Sequence, residues 1–107
     1  MPKIDIKPIS VNACWQGKRF KTKAYKAYET ELLYKLPSLS FNDKNIVIDI
    51  EFGINGLMDI DNPIKPFLDV LQKKYGFNDR YIHQLRITKV KVKPGKEYIQ
   101  FKIDNTL

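Results

Sequence analysis

Cysteine is nearly missing from this chain of 107 residues. The one thiol, Cys14, excludes an internal disulfide and fits a reducing compartment. With no companion base nearby in sequence, it reads as a small buried residue rather than a nucleophile. Histidine is as scarce. His83 has no cysteine or histidine partner at ligand spacing and is read as structural. No apolar run approaches the ~20 residues that cross a bilayer, so no membrane span is expected. Met1-Pro2-Lys3-Ile4-Asp5 lacks the pattern of a secretory leader, and the expected location is cytoplasmic. A glycine-rich phosphate loop, a kinase signature and Ser-His-Asp spacing are absent too.

Acid is also in short supply. Nineteen Lys and Arg stand against twelve Asp and Glu, a formal charge of +7. Such an excess biases a small domain toward polyanions, because phosphate contacts release condensed counterions. Hydrophobic residues make up 43% of the chain, which supports a real core, and no linker, repeat or low-complexity stretch divides residues 1–107. A single domain is expected, one that buries only ~65% of its unfolded surface.

The hydrophobic pattern predicts the elements. Lys3 to Lys7 alternates with period two and reads as a short strand closed by Pro8. Lys18, Arg19, Lys21 and Lys23 then surround Gly17, with Trp15 and Phe20 interleaved. Cations that track phosphates beside rings that stack on bases suit a strand-binding loop; the same rings could instead anchor the loop to the core. Thr22 is a plausible N-cap for a helix to about Leu36, with Tyr25, Tyr28, Leu32 and Leu36 as its buried stripe and Pro37 as its stop. Ile46 to Phe52 is a strand with Ile46, Ile48, Ile50 and Phe52 on one face, broken by Gly53-Ile54-Asn55-Gly56. Asn62 is placed as cap, and Pro63 as first residue, of a second helix whose apolar positions are Ile64, Phe67, Leu68, Leu71 and Tyr75. Pro66 is its irregularity, Lys65 and Asp69 lie four apart on its polar face, and Gly76 ends it. Tyr81 to Val92 is a strand whose apolar phase changes, which places a bulge near Thr88-Lys89. After the turn Lys93–Lys96, Tyr98 to Ile103 pairs back as a C-terminal β-hairpin. The expected class is α+β, a small mixed sheet with two helices packed on it.

Chemistry concentrates at Asp59-Ile60-Asp61-Asn62-Pro63-Ile64-Lys65. In an extended backbone, side chains at i and i+2 share a face, so Asp59 and Asp61 can converge. Paired carboxylates repel unless a cation separates them, and Mg²⁺ takes one or two carboxylates with water and phosphate oxygens. Asp79 follows the helix. If the chain runs back beside the Asp59 segment, three carboxylates and Lys65 surround one pocket suited to metal-assisted phosphodiester hydrolysis.

Asp59-x-Asp61-Asn62-x-x-Lys65, Asp69-x-Leu71 and Asp79 ahead of the Ile82 strand resemble the RusA family of Holliday junction resolvases, small endonucleases common in phages and prophages. Ile9-Ser10-Val11-Asn12 with Trp15, Thr22 with Tyr25, and Lys89 extend the likeness over nearly the whole chain. The resemblance implies a RusA-like fold in a bacterial cell. It makes Asp59, Asp61 and Asp79 the catalytic, Mg²⁺-binding acids (Mn²⁺ being an alternative) and Lys65 the essential lysine. It also implies a homodimer that nicks a four-way DNA junction symmetrically. The family often carries two adjacent acids where this chain has Asn78-Asp79, so that role falls to Asp79 alone. Pro63 and Pro66 bracket Lys65. Arg86 and Lys89, near the expected bulge, join the basic loop as candidate phosphate contacts. Two other readings use the same residues: a non-catalytic branched-DNA-binding module, and a nuclease that prefers flaps or forks.

Overall fold

The strand from Ile46 runs two residues further than its sequence suggests, through Ile54 (β4). Gly53 does not break it, because its backbone pairs on both sides, with Val90 and with Tyr98. The missing side chain is used: the Tyr98 ring lies so close to Gly53 that a Cβ there would overlap it. The computed structural model describes residues 1–17 and 19–106. In chain order the remaining elements are β1 (Lys3–Ile4), β2 (Trp15–Gln16), β3 (Phe20–Lys21), α1 (Lys23–Lys35), α2 (Ile64–Tyr75), β5 (Ile82–Lys91) and β6 (Tyr98–Asn105), with β4 falling between the two helices. Short 3₁₀ turns occupy Val11–Ala13 and Asp79–Tyr81.

The main sheet has the order β1-β6-β4-β5, and β2 and β3 form a separate small hairpin. β4 pairs antiparallel with β6 and parallel with β5. The expected C-terminal hairpin is therefore corrected: β5 and β6 do not pair but flank β4, and the turn at Lys93–Lys96 lies in a connection that crosses the end of β4. A parallel pair cannot be closed by a tight turn, so α2 is the crossover between β4 and β5. The bulge is corrected as well. Register is regular from Val47/Gln84 to Ile54/Lys91 and slips only between Ile46/Ile82 and Val47/Gln84, so His83 is the extra residue.

The helix caps follow local chemistry. The Thr22 hydroxyl accepts from the Tyr25 amide, and Leu36, next to Pro37, turns extended and ends α1. Gly76 adopts φ 71° and donates its amide to Gln72, as a left-handed stop does. The start of α2 differs from expectation. Asn62 does not cap it; Pro63 occupies the cap position and Ile64 is the first helical residue. Pro66 is then the third helical residue, where the amide it lacks would have had no intrahelical partner, so Pro66 forfeits no bond.

One face of the sheet carries the core. Ile46, Ile48, Ile50, Phe52 and Ile54 of β4, with Ile99 and Phe101 of β6, are buried against Leu32, Phe67, Val70 and Leu71 of the helices. Phe52, Phe67 and Phe101 pack edge to face at centroid distances of 5.9 and 5.5 Å. The other face is polar. There Arg86 forks onto Asp49, and the Tyr98 hydroxyl donates to Glu51. Ile4 and Ile6 are buried as the alternation predicts, although β1 pairs only at Lys3 and Ile4. No helix is long and apolar enough to cross a membrane among the described residues.

Because Tyr98 fills the space above Gly53, Gly53→Ala is expected to destabilise the protein by about 1–3 kcal/mol in urea denaturation. In a Tyr98→Ala background most of that penalty should vanish, a coupling of about 1 kcal/mol or more.

Candidate active site

The loop that leaves β4 builds a tight turn before α2. The Asp59 carbonyl accepts from the Asn62 amide at 3.1 Å, and the Asp61 carbonyl accepts from the Ile64 amide at 3.3 Å. The Asn62 carbonyl accepts from the Val11 amide at 2.9 Å, which bolts the turn to the Val11–Ala13 segment. Three backbone bonds thus hold the turn while Asp59 and Asp61 are exposed, and neither side chain has a hydrogen bond or ion pair among the described residues.

Asp59 opens on a cleft of about 480 Å³ lined also by Ile54, Gly56, Leu57, Lys89 and Lys91. This cleft lies off the carboxyl ends of the parallel strands β4 and β5, the end at which open α/β sheets bind ligands. The register sets Lys89 beside Phe52 and Lys91 beside Ile54, so both lysines share the face of the buried β4 residues. Lys89 donates to the Met58 carbonyl at 3.0 Å and pins the loop. Lys91 was not singled out from sequence; its two-residue spacing from Lys89 was the available signal.

Lys65 leaves the first turn of α2 and forms an ion pair with Asp69 at 2.9 Å, the i, i+4 contact its spacing predicts. The Asp69 hydrogen bond holds the Lys65 ammonium above the usual lysine range; partial burial opposes this, and the charges of Asp69 and Asp79 add to it. The Asp79 amide donates to the Gln72 side chain at 3.1 Å. Lys65, Asp69 and Gln72, at i, i+4 and i+7, form one polar face of α2 against which the Asp79 segment rests. The Lys65–Asp69 pair is as expected, whereas Gln72 was not singled out from sequence; its helical spacing from Asp69 was the available signal.

The three acids are distributed rather than gathered. Asp59 and Asp61 lie before α2 and Asp79 after it, and a helix of twelve residues spans ~18 Å. Among the described residues no group of three or more His, Cys, Asp or Glu side chains is placed to hold a metal ion. The expectation of an extended Asp59–Asp61 segment is corrected: the Asn62 and Ile64 amides bond back to the Asp59 and Asp61 carbonyls, so the segment is a turn, its side chains at i and i+2 do not share a face as in a strand, and of the two acids it is Asp59 that lines the cleft.

The basic candidates separate by environment. Lys18 lies outside the described residues. Arg19 and Lys23 are exposed on either side of β3. Lys21 instead pairs with Glu29 at 2.9 Å and lies over the Tyr25 ring. Arg86 is engaged by Asp49 on the polar sheet face, opposite to Lys89, so those two do not form one phosphate contact. Of the rings, Trp15 packs edge-on against Tyr25 at 5.9 Å and is 43% exposed, whereas Phe20 is 71% exposed. Trp15 combines anchoring with an open face, and Phe20 is largely exposed. Cys14 is buried with its thiol donating to the Ser10 carbonyl. Burial, then the charge of Asp69, pushes that thiol up to about 11, so it stays protonated at neutral pH.

No family model matches the chain, and no curated protein matches it. The likeness to RusA resolvases rests on the quoted residues alone.

Glu29 joins the basic hairpin to both helices, accepting from Lys21 and from Lys73 of α2. Burial raises its pKa, but the hydrogen bonds and charges of Lys21 and Lys73 outweigh that and hold it below the ordinary 4.5. Its stabilisation is complete above the unfolded value and is lost as pH falls through the lower folded value. Thermal melts should therefore show wild type above Glu29→Gln at pH 7, with the gap closing under acid conditions.

Proposed function

We propose that the protein is a divalent-metal-dependent endonuclease of branched DNA, which as a homodimer resolves four-way junctions by paired symmetric nicks. The observation that carries this reading is that Asp59 and Asp61 are exposed and without side-chain partners among the described residues, on a hydrogen-bonded turn from which Asp59 opens on a cleft edged by Lys89 and Lys91. A carboxylate beside lysines, with a second two residues on, suits a hard divalent ion and an anionic substrate. A bound ion there would supply Lewis-acid charge and a water of lowered pKa.

The chain's own groups have distinct roles in this proposal. Asp59 and Asp61 hold the ion, and Lys91 attracts the phosphodiester. Lys89 fixes the loop through Met58. Lys65 stays protonated through Asp69 and offsets negative charge as it develops on the phosphate. Asp79 acts through the field it exerts on Lys65, or joins the ion as a third acid when DNA is bound. Arg19, Lys23 and Phe20 extend the contact along a strand.

A non-catalytic branched-DNA-binding module is the second reading, and the separation of the three acids favours it. Incubation of the protein with a synthetic four-way junction decides between them. Paired symmetric nicks in Mg²⁺ or Mn²⁺, lost in chelator, are expected of the nuclease; binding without cleavage in any metal is expected of the module. Faster cutting of flaps or forks would reassign the substrate. Asp59→Asn and Asp61→Asn should each lower cleavage by ~10²-fold or more while junction binding in gel shifts is kept or strengthened, a negative charge having gone. Asp79→Asn separates its two roles: a higher Mg²⁺ midpoint marks an ion ligand, and a lower rate at an unchanged midpoint marks an influence on Lys65.

A further inference from the structure

From Arg80 to Lys96 the chain contains no Asp or Glu, and its later cations, Lys89, Lys91, Lys93 and Lys96, continue past the end of β5. Lys89 and Lys91 edge the Asp59 cleft. Just beyond them, Lys93-Pro94-Gly95-Lys96 turns across the end of β4 toward β6. All four residues of the turn are exposed.

Local chemistry stiffens this turn. The Lys96 amide donates to the Lys93 carbonyl at 3.0 Å, and Gly95 has φ 82°. Proline in second place and a left-handed glycine in third are the signature of a type II turn, which holds its first and fourth residues within ~7 Å. Those two residues are Lys93 and Lys96. Like charges this close repel, and neither ammonium has an ion pair among the described residues. Asp5 and Glu97 border a cavity that Lys96 also lines, yet they pair with neither lysine. The fold thus sets two cations side by side and leaves them for an anion from outside.

The turn is fastened to the candidate active site. The Val92 amide donates to the Ile54 carbonyl at 3.0 Å, and Ile54 lines the cleft with Asp59. Lys93 stands two residues, or ~7 Å of extended chain, beyond Lys91. An anionic strand that leaves the cleft past Lys91 in this direction meets the turn next.

We propose that the Lys93–Lys96 turn clamps the sugar–phosphate backbone of the DNA arm that leaves the Asp59 cleft. The proposal rests on the nuclease reading for its ligand, branched DNA, and adds a surface which that reading does not use. Two cations on a stiff turn lose little freedom when they bind, and each phosphate they neutralise releases counterions. Phosphate contacts fix register and orientation but carry no sequence information. The turn therefore sets how the arm lies against Asp59, not which bases flank the cut.

Gel shifts on a synthetic four-way junction, run in chelator over a range of salt, test it. Lys93→Gln combined with Lys96→Gln should weaken binding several-fold and make the slope of log affinity against log salt shallower by ~2. Lys44→Gln combined with Lys74→Gln removes the same charge at the opposite end of the sheet, before β4 and at the end of α2, and should cost far less. Lys93→Arg combined with Lys96→Arg should bind as wild type does. Equal losses at the two ends would leave net charge as the whole effect, and an unchanged affinity or slope in the turn variant would exclude the contact; either result overturns the proposal. So does poly-L-glutamate bound as tightly as the junction and weakened by the same factor, which would mark an acidic protein as the partner. Paired nicks in Mg²⁺ by a protein whose turn variant binds normally would sink the clamp alone. Weakened junction binding by the turn variant of a protein that cuts nothing would sink the nuclease reading alone.

Discussion

Parallel pairing of β4 with β5 is the constraint from which the rest of the molecule follows. Two adjacent strands that run the same way need a connection spanning the length of the sheet, and α2 provides it. The loop into α2 therefore lies at the carboxyl end of β4, and the loop out of it at the amino end of β5. Asp59 and Asp61 occupy the first and Asp79 the second. The polar face of α2 joins them: Lys65 with Asp69 near the start, Gln72 against the Asp79 amide further on.

β4 tolerates that position because it is buried on one face and paired along both edges. The Phe52–Phe67–Phe101 contacts lock α2 to β4 and β6, so the helix that orients Lys65 is held by the centre of the core. Gly53 allows Tyr98 to cover the far face.

Several of the nineteen cations are engaged within the protein. Glu29 engages Lys21 and Lys73, Asp49 engages Arg86, Asp69 engages Lys65, and the Met58 carbonyl engages Lys89. Net charge attracts a polyanion at long range, but these pairs decide which cations meet it. Lys91 is left in the cleft beside Asp59, and Arg19 and Lys23 stay exposed on either side of β3. Among the described residues the Tyr28 hydroxyl is the buried side-chain polar atom left without a partner.

The amino-acid order by itself determined what depends on neighbours a few residues away. Thr22 and Gly76 delimit helices through bonds three or four residues long, Lys65 meets Asp69 one turn on, and the alternation from Ile46 to Phe52 selects the buried face. The sparing use of cysteine and histidine and the Asp59–Asp61 spacing were equally plain. Only the tertiary structure decided that β6 joins β4 rather than β5 and that Arg86 and Lys89 face opposite ways. Those outcomes depend on partners 37 to 47 residues apart, such as Arg86 with Asp49 and Tyr98 with Glu51. A local period is the same whichever strand lies alongside, and a single bulge at His83 shifts strand phase without leaving a unique mark in composition.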